Sequence, residues 1–362
     1  MIKRKEMQRI VKEGFGDPCI ATMGSHSALD IARGASDQLF NTVVLAKRGR
    51  ERTYSHYYKS GDWLGCVDKT IVVGEWSEVV SKKVMGELRE DKAIFIPHRA
   101  LAVYLGYDAI NNLLAIPMFG NRALLQSEER SGPYRVKLDQ DRIMEIAGIP
   151  TPRNFRSPGE IDRQVIVKAT ASIGERGFER NFEVVRSREE YEAAHERAVA
   201  RGTGRKEKEL ISKAFRSALI QEYLHGNKIN INYFYSPLSG KLEIMGTDIR
   251  YQFPGGEELA HSPVSLKESL LEKAYTMGEA LVAACRKACP PGIIGPFALQ
   301  TVSKGNGELL TYDVSFRIPG SPDSELSPYT MYLYGYRMSY GTRIAKEIRN
   351  ALQYDRLGEL IT

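Results

Sequence analysis

Between Cys19 and Gly120 the chain repeats one pattern, a short apolar run followed by an amphipathic run of helical length. CIATMG, NTVVLAK, TIVVG, AIFIPH and LLAIPMFG are the apolar runs, read as strands. SALDIARGASDQLF and SEVVSKKVMGELRED read as helices, and Ser25 or Ser27 can cap the first. Strands without polar alternation are buried on both faces, and joining them in parallel requires crossover helices. The pattern predicts βαβ organisation and a parallel sheet, which binds ligands at the carboxyl ends of its strands. Three turns fall there: Gly24-Ser25-His26, Pro97-His98 and Phe119-Gly120-Asn121-Arg122. In the third, an amide and a guanidinium can hold a phosphate, although Arg122 can equally pair with a surface carboxylate.

The character changes after about residue 125, where SEERSGPYRVKLDQ is polar and turn-rich. A helix (DQDRIMEIAGI) and the turn PTPRNF lead to the strands QVIVKAT and NFEVVRS, joined by SIGERGF. A long charged helical segment then precedes the strand ALIQEYL. Four further strand-like runs, INYFYS, KLEIMGTDIRYQF, FALQTV and LLTYDVSFRI, are interrupted by the apolar helix SLLEKAYTMGEALVAACRKA. The tyrosine-rich run SPYTMYLYGYRMSYG alternates like a half-buried strand, suited to a core or a subunit interface, and GTRIAKEIRNALQYD ends the chain as a helix. At about 150 residues per domain, 362 residues suggest two or three domains.

Fifty-one Lys and Arg against 45 Asp and Glu leave a net charge of +6, with the two signs interleaved. That suits anionic small molecules better than nucleic acid. No run approaches the roughly 20 apolar residues of a membrane helix, and the N-terminal segment is amphipathic without an apolar signal core, so a cytoplasmic protein is expected. Four cysteines without a CxxC pair, and six histidines without HxH or HExxH, leave oxygen ligands for any metal.

Lys168 ends the strand-like run VIVK beside a loop containing Gly174 and Gly177. A lysine there can reach nucleotide phosphates while amides from Thr170 to Gly177 cover them, or it can be a solvated hairpin lysine. In QEYL, the backbone of Tyr223 and Leu224 can face an adenine edge with Glu222 as a polar partner. On the last two strands, Gln300 and Asp313 offer oxygens to Mg²⁺, and Arg317 follows.

The order of these pieces resembles the ATP-grasp superfamily. IATMGSHSALDIARGA, IPHRALAVYLG, IPMFGNRALLQSEERSG, INYFYSPL, PPGIIGPFALQ and GTRIAKEIRNALQYD sharpen the resemblance to archaeal formate-dependent synthetases that formylate 5-aminoimidazole-4-carboxamide ribonucleotide (AICAR). It implies an α/β fold, with a Rossmann-like parallel-sheet domain over 1–125 on the substrate side. A two-lobed ATP-grasp module of α+β type over 126–362 would carry a lid at about 155–225. The implied reaction consumes ATP, formate and AICAR and yields ADP, phosphate and the formylated nucleotide (FAICAR), in the biosynthesis of IMP. Formate is a poor electrophile; converted to formyl phosphate, it acquires phosphate as a leaving group that the substrate's aromatic amine can displace.

Carried over by position, the resemblance assigns Lys168 and Arg317 to catalysis and charge stabilisation. It assigns Lys168, Thr170, Gly174, Gly177, Glu222, Tyr223, Leu224 and Gln252 to ATP. His26, His98, Ala100, Asn121, Arg122 and His261 fall on the substrate side, and Gln300 and Asp313 on Mg²⁺, with Mn²⁺ able to take the same ligands. The chain departs from the family at Ala100, where a serine is usual, at Gln252 in place of glutamate, and at Asp313 in place of glutamate. It also shortens the loop that carries a substrate asparagine, so that His261 lies nearest the missing residue. These changes keep open an ATP-grasp paralogue acting on another acyl group or amine, or a non-catalytic nucleotide-binding regulator. The partners expected are small molecules and further copies of the chain, with no nucleic acid and no membrane.

Overall fold

The computed structural model describes residues 1–128, 138–172, 178–252, 258–304, 307–320 and 324–362; at 170–172, 178–181, 252, 258, 259 and 324 the description is of the backbone alone. After α1 (Arg4–Gly14), the apolar runs form the predicted parallel sheet. β1 (Cys19–Met23), β2 (Thr42–Lys47), β3 (Lys69–Val73) and β4 (Ala93–Phe95) stand in the order β3-β2-β1-β4. α2 (Ala28–Asp37) and α3 (Lys82–Glu90) lie between strands, while α4 (Arg99–Asn112, kinked at Gly106) and α5 (Arg122–Ser127) follow.

Two local expectations change. SEVVSKKVMGELRED is a 3₁₀ turn (Trp76–Val80) and then α3, because Ser81 interrupts the helix and caps the second part by accepting from the Val84 N–H at 3.3 Å. LLAIPMFG does not extend the sheet as a strand: Pro117 has no N–H to donate, and only single bridges form, Met118 to Phe95 and Phe119 to Ile361.

α6 (Gln140–Ala147) stops at Gly148, whose φ of 64° is the left-handed cap glycine accepts without strain. β5 (Asn154–Phe155), β6 (Val165–Ser172), β7 (Phe178–Val185) and β8 (Leu219–Glu222) build a small antiparallel sheet in the order β5-β8-β6-β7. The charged segment covering it is two helices, α7 (Arg188–Ala200) and α8 (Arg205–Arg216), separated at Gly202 and Gly204. Tyr191, Ala194, Ile211 and Phe215 pack on Val165 and Val167.

The main sheet joins β9 (Asn227–Ser236), β10 (Lys241–Gln252), β11 (Glu258–Pro263), β12 (Gly295–Ser303) and β13 (Leu309–Ser315) in the antiparallel order β11-β10-β9-β12-β13. On one face α9 (Glu268–Ala288) packs Leu281 and Cys285 against Tyr233, Phe297 and Leu299. The tyrosine-rich run is helical rather than a strand. Pro328 precedes α10 (Tyr329–Tyr334) and Gly335 ends it with φ 75°; Tyr329 and Thr330 are buried, while Met331, Tyr332 and Leu333 are exposed in succession, which alternation does not allow.

α11 (Tyr340–Gln353) covers the other face and closes the molecule. Its Ile344, Ile348 and Ala351 share one core with Met7 of α1, Ile20 of β1, Ile31 of α2 and Phe234 of β9. The crossing with α2 is tight enough that a Cβ on Gly34 would lie 2.1 Å from the Gly341 backbone. Arg343 ties α11 to β10 through Glu243 (2.7 and 2.9 Å) and stays on its own helix with Glu347 (2.8 Å).

Candidate active site

The chain leaving β13 forms a parallel bridge with the turn after β4, Ile318 to His98. That single pairing brings the end of the main sheet to the carboxyl ends of β1 and β4. His26 is exposed at the start of α2, and its ring lies 3.7 Å from where a side chain at Gly320 would begin. Arg317, 12% exposed at its side chain, extends Nη2 to Glu128 Oε2 at 3.0 Å, and its Nε has no hydrogen-bond partner among the described residues. The charges of Arg317 and His26 both reach His98. Burial raises the proton affinity of Glu128, Arg317 and the Phe316 N–H oppose that rise, and the charge of Asp313 adds to it.

Side chains opposite one another in a sheet share a face. Register pairs Asp313 with Gln300, Gln300 with Asn230, and Asn230 with Asp248, a polar row crossing four strands. At about 4.8 Å between strands the row spans roughly 14 Å, comparable to a nucleotide. It lies on the face that Phe234, four residues along β9 from Asn230, turns toward α11. Asp248 is fully buried and accepts from Asn230 Nδ2 (2.6 Å), Asn232 Nδ2 (2.7 Å) and His261 Nδ1 (2.7 Å). Its carboxylate therefore fixes the imidazole with the proton on Nδ1.

On the small sheet, Lys168 Nζ donates to Gln221 Oε1 at 2.8 Å, and Gln221 Nε2 donates to Asn154 Oδ1 at 2.9 Å. The ammonium also sits 5.1 Å from the Tyr312 ring, next to Asp313 in sequence. Leu224 packs on Val302, Leu310 and Tyr312, so the connector after β8 lies against the end of the main sheet. Glu222 Oε2 accepts the Arg153 N–H at 3.3 Å, and Arg163 stands 3.8 Å from Oε1. Backbone atoms of Thr170 and Gln252 end up in β6 and β10; their side chains, and Gly174 and Gly177 entirely, lie outside the described residues.

Several expected ligand contacts are used internally instead. Arg122 is buried, and its guanidinium donates to the carbonyls of Thr362 (3.0 Å), Ile110 (2.6 Å) and Ile116 (2.7 Å), which leaves no face for a phosphate; burial lowers its pKa to about 10. Asn121 caps α5 through Oδ1 and donates through Nδ2 to the Cys289 and Gly292 carbonyls. His98 is buried, and both ring nitrogens are engaged: Nε2 donates to the Met23 carbonyl at 2.9 Å, and Nδ1 accepts from the Ala100 N–H at 3.3 Å. Burial moves its pKa down to about 4, so the ring is neutral. The Tyr223 N–H is likewise taken, by the Gln164 carbonyl at 2.9 Å. A cavity of about 500 Å³ lies away from this junction, along α8 beside Arg205, Lys208 and Arg216.

Family models described as "Protein of unknown function (DUF1246)" and "Domain of unknown function (DUF1297)" match residues 20–155 and residues 199–254 and 254–362. The 5-formaminoimidazole-4-carboxamide-1-(beta)-D-ribofuranosyl 5'-monophosphate synthetase of Methanothermobacter thermautotrophicus is 35% identical, aligned over 100% of this chain and 99% of its own. That of Methanocaldococcus jannaschii is 34% identical over 100% of both. The chain belongs to this family. Among solved structures, the IMP biosynthesis protein PurP of Thermococcus kodakaraensis superimposes with a TM-score of 0.68 at 25% identity, covering 95% of this chain and 100% of that one. An ADP complex of N5-carboxyaminoimidazole ribonucleotide synthetase (purK) gives 0.58 at 14% identity over 90% and 78%, a likeness of fold alone. The α/β architecture with an ATP-grasp module is thus shared with the family.

Sequence reading missed Glu128, Asp248, Asn230 and Gln221. For the strand pair a signal existed: Asn230 and Asn232 alternate with Ile229 and Ile231, placing amides on a face that a purely apolar strand would not need. Glu128 carried none, being one of two adjacent glutamates in a polar stretch.

Proposed function

We propose that the chain is an ATP-dependent carbon–nitrogen ligase that formylates AICAR to FAICAR, releasing ADP and phosphate. The observation that carries this is the Ile318–His98 bridge, which brings Arg317 to the turn after β4, with the Asp313–Gln300 pair on the strands that lead to it. A substrate anchored in the first domain is thereby next to groups suited to ATP.

Asp313 and Gln300, register partners on one face, offer a carboxylate and an amide oxygen, a donor set that fits Mg²⁺ or Mn²⁺. Bound there, the ion supplies positive charge against the triphosphate. Lys168 is assigned to phosphate oxygens, with Thr170, Gly174, Gly177, Glu222, Leu224 and Gln252 completing the nucleotide's surroundings. Arg317 stabilises the charge that develops as the acyl phosphate forms. The amine of the second substrate then attacks the formyl carbon, the carbon–oxygen bond to phosphate breaks, and the amine proton is lost. His26 and His261 contact the nucleotide, whereas His98, Asn121 and Arg122 shape the turns that hold it. The division at residues 1–125 and 126–362, a cytoplasmic location and a homo-oligomer built on the exposed face of α10 belong to the same reading.

A different amine substrate is favoured by two observations. Asp248 holds His261 at 2.7 Å, and Ala100 presents no hydroxyl. The test is ADP release by the full chain with ATP, Mg²⁺ and formate, with AICAR and then related amines. Formate- and AICAR-dependent ADP release with a formylated product is expected; turnover with a different amine alone refutes AICAR as the substrate. Nucleotide binding without turnover on any amine refutes the ligase.

A further inference from the structure

Glu128 stands at the end of α5 and faces the outer edge of β13. Two side chains satisfy the backbone there. Gln140 Oε1 accepts the Val314 N–H at 2.6 Å, and Glu128 Oε1 accepts the Phe316 N–H at 2.6 Å. Gln140 Nε2 also donates to the Glu128 carbonyl at 3.3 Å, which joins the two caps.

A neutral amide suffices at Val314, so capping alone does not account for a charge two residues on. A buried carboxylate is costly unless paired, and Glu128 is 6% exposed at its side chain with Asp313 close by. Its second oxygen is the one that meets Arg317, at 3.0 Å. The same carboxylate thus grips the backbone of residue 316 and the guanidinium of residue 317. A guanidinium on a flexible side chain adopts one place only when a planar partner fixes it.

We propose that Glu128 is a positioning residue for the reaction: it holds the Arg317 guanidinium against the junction of the two domains, where the acyl phosphate would form. This rests on the ligase reading above, and it adds a residue outside the ATP and metal sets. Glu128→Gln separates the two tasks, since the amide oxygen still accepts from Phe316 but the amide nitrogen cannot accept from Arg317.

Wild type, Glu128→Gln, Arg317→Met and the double variant are compared by ADP release with ATP, Mg²⁺, formate and AICAR, and by crystal structures of the first two. A displaced guanidinium of about 1 Å is expected to lower kcat of Glu128→Gln on the order of 10²-fold. The KM for ATP should stay within about twofold, because uniform binding is untouched. The double variant should be no slower than Arg317→Met, the mark of two residues acting as one unit. In the crystal structure of Glu128→Gln, Phe316 should stay and the guanidinium should leave its place. Wild-type kcat, multiplying losses, or a guanidinium that does not move overturns the proposal. Inactive wild type overturns the ligase reading instead, and the crystallographic displacement still decides for or against Glu128.

Discussion

Arg122→Met distinguishes a phosphate ligand from a structural clamp. The Arg122 side chain makes three bonds to carbonyls, at 2.6, 2.7 and 3.0 Å, and methionine fills similar volume with no donor. Each orphaned carbonyl costs about 1–3 kcal/mol, and relief of guanidinium desolvation returns part of the sum. A net loss of about 3–5 kcal/mol follows, a large share of the roughly 5–15 kcal/mol that holds a domain folded. With a urea slope of about 2–3 kcal/mol per molar, the midpoint should fall by about 1–2 M. Lysine should not rescue it, because one ammonium cannot serve three carbonyls that a planar fork reaches. The assay is urea unfolding of the full chain alongside the AICAR dependence of ADP release by the folded fraction. An unchanged midpoint with a KM for AICAR raised tenfold or more would refute the clamp.

Gly34→Ala places a Cβ 2.1 Å from the Gly341 carbonyl carbon and the Thr342 nitrogen, so the crossing of α2 and α11 must open, at about 3 kcal/mol or more. Gly14→Ala, with nothing within 4 Å, is the control and should be neutral or slightly stabilising in the same thermal melt. His98 binds its proton only near pH 4 when folded but near pH 6.5 when unfolded, so the unfolded state takes up the proton first on acidification. Its contribution, present above about pH 6.5, should fall by on the order of 3 kcal/mol toward pH 4, and His98→Asn should flatten that slope in urea titrations. Lys168→Ala and Asp313→Asn should each abolish ADP release; near-normal turnover in either removes its assigned role.

The parallel sheet was legible because β1, β2 and β4 are buried along nearly their whole length, and the main sheet because its strands are runs rich in β-branched and aromatic residues, although β9 and β12 are buried on both faces. Roles at the turns were not legible, for a reason of distance. Whether the Arg122 guanidinium faces a ligand or the protein is decided by Ile110, Ile116 and Thr362, and for Asn121 by Cys289 and Gly292, up to 240 residues away. Local sequence gives the donor and not the acceptor. The same limit hid Glu128, whose partners lie 188 residues on at Phe316 and next to it at Arg317. His98 shows the same limit: its neutrality follows from burial that only the folded chain supplies.

All but one of the groups assigned to substrate precede residue 123, and those assigned to ATP and metal follow residue 167, so the site exists only when the two parts of the chain meet. Among the contacts that make that meeting are the Ile318–His98 bridge, the glycine crossing of α2 with α11, and Asp30, which accepts the Gly341 N–H at 3.0 Å. Asp30 sits in α2, four residues after His26. A shift of α11 that breaks its bond therefore moves the helix that His26 precedes by two residues, while Lys168 and Gln221 on the small sheet keep their own pairing. Damage at the crossing should accordingly raise the KM for the amine nucleotide more than that for ATP, whereas damage at the Lys168–Gln221 pair of the small sheet should do the reverse.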